Sequence, residues 1–405
     1  MGLRIKKTQI IGLTIIKKME KEIMKAQKAK LQRDEIVTLE LRGLYEQVGY
    51  RKYKMGRFEE YQLYVENKDF LASDKVISFT DLDGRLLALK PDVTLSIIKN
   101  SKATRNTSEK LYYIENVYRE SKESHTYQEI HQMGLEFIGD VDRYGVVEVL
   151  ALAAQSLESV SRDYILEISH MNYVVEFLNE LNISETIKHK LLRLIRNKNI
   201  SGLEKTALKE ALPQKAMEVL LAIPYLYGDI ESTIKKARAL ALSAKMLDSV
   251  EELLEVLVLL KAAGYSEKCQ VDFSMVNDID YYNGIVFRGY VKELARLVLA
   301  GGQYDLAMKR FGKDVDAIGF ALYLNEVSRI NGKEATTDVD SILLYEDDAD
   351  LKALIKEVHR LQKKGLKVWV GRNLPTDISY KDIYRWKVKG LVKMEKQVEG
   401  AEDKC

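Results

Sequence analysis

Cysteine and proline are scarce in this chain, two and four residues out of 405. Cys269 and Cys405 lie far apart, so neither a disulfide framework nor a paired metal-ligand spacing follows, and a reducing, cytoplasmic setting is expected. An excess of charge of either sign is also missing. With 63 Lys and Arg against 61 Asp and Glu, the net charge of +2 gives no bulk argument for nucleic acid. No apolar run is long enough to span a bilayer, and no membrane partner is expected. The apolar segment Ile10–Ile16 follows Arg4, Lys6 and Lys7, but it lacks a convincing cleavage site and runs into lysine-rich sequence. A signal peptide is not expected. A chain of this length holds two or three domains.

What is present is organised around Asn277-Asp278-Ile279-Asp280-Tyr281-Tyr282-Asn283-Gly284-Ile285-Val286-Phe287. Two short extended runs meet at Asn283-Gly284, which predicts a hairpin. Alternation along a strand separates Tyr281 from Tyr282, so one can face the core and the other a cavity. Tyrosines beside a hairpin are more often packing than chemistry, and the stretch alone indicates no more.

Upstream, Thr14–Val48 contains no proline and only Gly43 interrupts it, which predicts a long helix stopped by Gly49. Its lysines interleave with Glu20 and Glu22, as on a solvated face. Val76–Thr80 and Leu86–Leu89 flank Asp83-Gly84 and predict a hairpin that delivers Lys90-Pro91-Asp92-Val93-Thr94. Proline removes a donor and fixes φ, so the strand ends there and presents Asp92 and Thr94 in a defined loop. Lys110–Glu120 and Ile130–Gly139 predict two strands around a variable loop. Gln132 and Glu136 are four apart and share a strand face. With Arg119 they supply a fork for a carboxylate and acceptors for an ammonium and a side-chain donor, as a small zwitterion requires. His131 points to the other face and reads as structural.

Asp140–Val160 predicts a helix opened by acidic residues. Arg162–Tyr265 reads as mostly helical, with breaks near Asn199–Gly202, Pro213 and Pro224–Gly228. Its basic residues Lys188, Lys190, Arg193, Arg196 and Lys198 fit RNA contact and an amphipathic surface equally. Gly301-Gly302 before Tyr304 allows a backbone to approach a ligand closely. Ala317–Leu322 begins a strand that leads into a helix. Farther on, strand Ile342–Tyr345, helix Asp350–Lys364 and strand Leu366–Val370 predict a β-α-β unit without a glycine-rich phosphate fingerprint. Val398–Cys405 is expected to be disordered.

Asp280-Tyr281-Tyr282-x-Gly284 followed by Val286-Phe287 resembles the histidine-specific signature of the histidyl-tRNA synthetase family. Other blocks follow in that family's order. The helix, Gly49-Tyr50 and the next strand resemble motif 1 of class II aminoacyl-tRNA synthetases. Tyr118-Arg119 with Gln132-x-Gly134-x-Glu136 resembles motif 2, and Ala317–Leu322 resembles the start of motif 3. Gly301-Gly302-Gln303-Tyr304-Asp305 is similar to the family's Gly-Gly-Arg-Tyr-Asp. The resemblance covers most of residues 35–335 and implies an α+β fold, a class II synthetase-like antiparallel sheet flanked by helices, with a helical insertion and a small C-terminal α/β unit. It places that domain at 1–160 and 266–335, a helical insertion at 161–265 and a partial C-terminal α/β unit at 338–405. It also implies a histidine pocket. Asp92, Thr94 and Gln132 would take the α-ammonium, Arg119 the α-carboxylate, and Glu136 and Tyr282 the imidazole, with Tyr281 in the same signature and Tyr304 and Gly302 along the floor.

The resemblance breaks where adenylate formation needs cations at ATP's phosphates. His125-Thr126-Tyr127-Gln128 stands for Gly-Arg-x-Arg, Asn277 for an arginine, and Tyr323-Leu324-Asn325-Glu326 for Gly-x-Glu-Arg. A glutamate repels the phosphate an arginine attracts. A synthetase-like body with the histidine site kept and the ATP site dismantled resembles the family of ATP phosphoribosyltransferase regulatory subunits. That resemblance implies a subunit without catalytic residues, cofactor or metal. Its expected partner is a short-form ATP phosphoribosyltransferase catalytic subunit, within a hetero-oligomer in which this chain pairs as a dimer. It would be required for the first step of histidine biosynthesis and would couple histidine, as effector, to the partner's active site. No tRNA is expected. A divergent histidyl-tRNA synthetase and a histidine sensor serving another partner are the rival expectations.

Overall fold

The computed structural model of the chain describes residues 31–68, 71, 75–121, 124–276, 282–294, 296–330, 337–387 and 390–394. Two compact units divide the chain, one of residues 32–330 and one that takes in the residues from 331 onward. In the first unit, helix Arg33–Gln47 opens with a cap in which Glu35 accepts the Gln32 amide at 2.7 Å. Asp34 and Glu35 sit in its first turn, where the helix dipole favours negative charge. The chain leaves the helix through Gly49 at φ +88°, a conformation only glycine adopts cheaply. Most of the residues expected to extend this helix back to Thr14 lie outside the described residues.

Strands β1 (Arg51–Lys52), β2 (Phe58–Glu60), β3 (Ser78–Thr80) and β4 (Leu86–Leu89) come first, followed by the long pair β5 (Glu109–Glu120) and β6 (Tyr127–Gly139). β7 (Tyr164–His170), β8 (Tyr227–Gly228) and β9 (Cys269–Asp272) follow, then β10 (Ile285–Val291), β11 (Leu297–Gln303) and β12 (Asp316–Tyr323). β3 and β4 make the hairpin predicted around Gly84, and β2 completes a small sheet with them. The main sheet runs β1-β5-β6-β12-β11-β10-β7-β9-β8. It is antiparallel except where β1 joins β5 and β7 joins β9. With its flanking helices this is a class II synthetase-like α+β architecture.

Helix Arg143–Val160 buries Leu150, Ala153 and Leu157 against this sheet. Asp142 caps it by accepting the Gly145 amide at 2.9 Å. The helix closes on β10 because Gly289 lacks a side chain: a Cβ there would lie 2.6 Å from Leu157.

One expectation is corrected. Tyr164–His170 was expected within a mostly helical stretch, yet it is a strand inside the sheet, between β10 and β9. Leu166 and Ile168 fill one of its faces, and their alternation is satisfied by partners far along the chain. Helices Met171–Glu180, Glu185–Arg196, Ile200–Lys209, Gln214–Ala222, Ile230–Leu240 and Ala244–Ala262 follow it. β10 is flanked by β11 and β7. The run before Asn283 that was expected to form the first arm of a hairpin lies, at residues 277–281, outside the described residues.

In the C-terminal unit, β13 (Val339–Leu344), helix Leu351–Lys363 and β14 (Val368–Gly371) form the predicted β-α-β arrangement, the two strands parallel. Asp350 caps the helix through the Ala353 amide at 3.0 Å. Two further strands, β15 (Tyr380–Lys387) and β16 (Gly390–Met394), were not foreseen and extend the sheet to β14-β13-β15-β16. Its small core is Ile342, Leu344 and Ile383. The expected disordered tail lies outside the described residues.

Candidate functional site

A cavity of about 290 Å³ opens on one face of the main sheet. Its floor comes from paired strands. Register sets Glu136 of β6 against Gly319 of β12, Gly319 against Gly302 of β11, and Gly302 against Val286 of β10. The Glu136 carboxylate is buried. Its Oε1 accepts the Thr94 hydroxyl at 2.9 Å and its Oε2 the Tyr304 hydroxyl at 2.7 Å. Burial pushes this carboxyl up to about 8, although the two hydroxyl donors and the nearby Asp92 charge pull in opposite senses. Room for it exists only because residue 319 is glycine: a Cβ there would lie 1.7 Å from Oε2.

The loop after β4 supplies a second wall. Asp92 Oδ1 accepts the Leu95 amide at 2.9 Å, fixing the first turn of helix Thr94–Asn100, while Oδ2 pairs with Arg119 at 3.2 Å. The Arg119 Nε donates to the Pro91 carbonyl at 2.6 Å. Beneath the loop, Lys90 is fully buried and its ammonium meets Glu115 at 3.2 Å. Burial lowers its pKa against the pull of that carboxylate. Loop and β5 are thus tied at side chain and backbone, since Tyr118 N–H also donates to the Lys90 carbonyl.

Asp92, Thr94, Arg119, Gln132, Glu136, Tyr282 and Tyr304 all line this one cavity. Tyr281 lies outside the described residues. Burial raises the phenols of Tyr282 and Tyr113, so both remain protonated donors. Gly302 lies beneath Tyr282, whose ring would come within 2.8 Å of a Cβ there. Gln303 turns inward: its Oε1 accepts the Ile285 amide at 2.6 Å and holds the approach to β10.

The residues set above against the cationic positions of the family's motifs make contacts of their own. Gln128 pairs with Arg119 across β5 and β6. Asn325 accepts the His131 amide and reaches the Glu129 carbonyl at 3.4 Å, bracing the end of β6. Glu326 lies 3.4 Å from Arg329 and 4.0 Å from Arg296. Asn277 is outside the described residues. Tyr323 lines the cavity.

Among the lining residues that escaped sequence reasoning in this role are the polar side chains of Tyr113, Arg196 and Arg288. Arg288 was within reach, because it lies two residues beyond Val286 on one strand and so shares its face. Arg196 ends helix Glu185–Arg196 and carries no local signal of its place.

The chain is similar to known proteins along most of its length. The ATP phosphoribosyltransferase regulatory subunit of Oceanobacillus iheyensis is 29% identical over 339 residues, 82% of each chain. A Bacillus halodurans structure described as an ATP phosphoribosyltransferase regulatory subunit/histidyl-tRNA synthetase superposes with a TM-score of 0.72 at 24% identity, covering 87% of this chain and 93% of that one. A chain of the ATP phosphoribosyl transferase (HisG:HisZ) complex from Thermotoga maritima gives 0.56 at 20% identity, over 71% and 96%. The family model for histidyl-tRNA synthetase matches residues 23–327. A class II sheet, a cavity built on its β6 and β12 strands and this match together establish that the chain belongs to the histidyl-tRNA synthetase family.

Proposed function

We propose that this chain is a non-catalytic regulatory subunit of ATP phosphoribosyltransferase, which binds free histidine in the cavity and couples it to a separate catalytic subunit. The observation that carries this reading is the pairing of a buried Glu136, held by Thr94 and Tyr304, with a motif 2 loop and a motif 3 end that offer Gln128 and Glu326 where adenylate chemistry needs arginines. The Glu136 and Tyr282 side chains face the imidazole, Asp92, Thr94 and Gln132 take the ammonium, and Arg119 takes the carboxylate. A buried site of this kind rejects analogues without an imidazole, because its polar groups would go unpaired. The names of the relatives support the assignment, and the Thermotoga maritima complex supports a partner that carries the catalysis. Self-association as a dimer inside the hetero-oligomer belongs to the same proposal.

Three measurements test it. Histidine-dependent ATP–pyrophosphate exchange should be absent; robust exchange would instead identify a working synthetase. The chain should co-purify with a short phosphoribosyltransferase subunit and raise its activity. Tyr282→Phe and Glu136→Gln should each weaken histidine binding about tenfold or more, while complex formation is kept. Feedback inhibition that persists unchanged in both variants would remove histidine from this cavity.

A further inference from the structure

Tyr282 and Tyr304 line the same cavity, yet neither lies within a strand or a helix. Strand pairing alone therefore does not set their relation. What joins the two segments is a set of bonds between their neighbours. Asn283 N–H donates to the Gln303 carbonyl at 2.9 Å, and Ile285 N–H to the Gln303 side chain at 2.6 Å. Gly284 between them takes φ +70°, and a Cβ there would lie 2.3 Å from Gln303 Oε1, so this approach requires glycine. The Asn283 side chain completes the join. Its Nδ2 donates to Asp305 Oδ2 at 2.8 Å, and its Oδ1 accepts the Leu306 amide at 3.2 Å.

Asp305 serves remote partners with both oxygens. It opens helix Asp305–Arg310, where a carboxylate ordinarily favours its own first turn. Here Oδ1 instead accepts the Ala317 amide of β12 at 2.8 Å, while Oδ2 takes Asn283. Tyr304 N–H donates to the Ala317 carbonyl at 2.8 Å, so the segment is fixed to β12 by backbone and side chain together. Burial raises the Asp305 carboxyl above its ordinary range, against the pull of both donors. The neighbours leave the Asn283 amide one orientation, since Leu306 presents a donor and Asp305 an acceptor. Neither Asn283 nor Asp305 lines the cavity itself.

We propose that Asn283 and Asp305 are positioning residues, whose paired side chains fix the placement of Tyr282 relative to Tyr304 in the cavity wall. An exchange of the two side chains tests this. Asp305→Asn alone sets two amide donors against each other, and Asn283→Asp alone sets two carboxylates against each other. Combined, the two substitutions restore every bond: the carboxylate at 283 accepts the Leu306 amide and the new amide at 305, whose oxygen still accepts Ala317. Tyr282 is replaced by 3-fluorotyrosine in the full-length chain, and its fluorine resonance is recorded without ligand. The resonance should move in each single variant and return in the exchange. Asn283→Ala, at a position outside strand and helix, should also move it and serves if a single variant does not fold. Histidine affinity by calorimetry, with Tyr282 unlabelled, should fall about tenfold in the single variants and recover to within about twofold in the exchange. Only this affinity arm rests on the histidine reading above. A fluorine resonance unmoved by Asp305→Asn and Asn283→Ala, or a folded exchange variant that stays displaced, overturns the proposal. Failure of the unsubstituted chain to bind histidine would sink the earlier reading and leave the fluorine result to decide this one.

Discussion

Glu136 concentrates the chemistry of this site in one side chain. Its carboxyl lies at about 8 in the fold against an ordinary 4.5, because burial disfavours the charged form. Between those values the folded chain keeps a proton that the unfolded chain has released. The associated stability is fully present below about pH 4.5 and is lost as pH rises toward 8. Glu136→Gln removes that titration. Across this window the wild type should therefore lose stability relative to the variant by the order of a few kcal/mol, seen as converging or crossing melting temperatures. Parallel curves would show that Glu136 titrates normally. Gly319→Ala tests the same contact from the opposite strand. A methyl group 1.7 Å from the carboxylate and 2.5 Å from the Leu135 carbonyl should cost about 1–3 kcal/mol in urea unfolding and displace Glu136. Histidine affinity should fall with it. The importance of Glu136 was legible from its spacing to Gln132 and from family resemblance. The demand on Gly319 was not, because it arises only when β12 is laid beside β6.

At the scale of elements, local signals proved reliable where the deciding groups are neighbours in sequence. The β3–β4 hairpin, the stop at Gly49 and the helix begun by Asp142 each depend on one residue's backbone freedom or one short hydrogen bond. Asp142→Ala should cost about 1 kcal/mol of stability, and Asp142→Asn much less, measured by chemical denaturation. Equal losses would mean that charge at the helix terminus outweighs the hydrogen bond. Tyr164–His170 shows the contrary case. Leu166 pairs with Cys269 and Gly289, more than a hundred residues away. Nothing adjacent in sequence distinguishes this apolar run from the helices that follow.

Across the whole molecule, all residues that line the cavity fall between Leu71 and Tyr323, inside the unit of residues 32–330. A chain ending at Ile330 should therefore keep histidine affinity within about twofold by calorimetry, since each contact invoked for binding is internal to that unit. Loss of affinity with the fold intact would give the C-terminal unit a part in the site. No helix among the described residues is long and apolar enough to cross a membrane.

By itself, the sequence determined the loop that carries Asp92 and Thr94 and the shared face of Gln132 and Glu136, while the class of the sheet was implied by the resemblance of its motifs to a known family. The loop and the shared face follow from turn chemistry, proline geometry and the two-residue period of a strand, all of which act within a few residues. Only the tertiary structure decided that Tyr164–His170 is a strand within the sheet, that Gln303 serves the Ile285 backbone, and that Arg288 and Arg196 share a cavity with Glu136. Each of these depends on which distant strand or helix arrives alongside, and a close approach between remote segments leaves no periodic trace in either one.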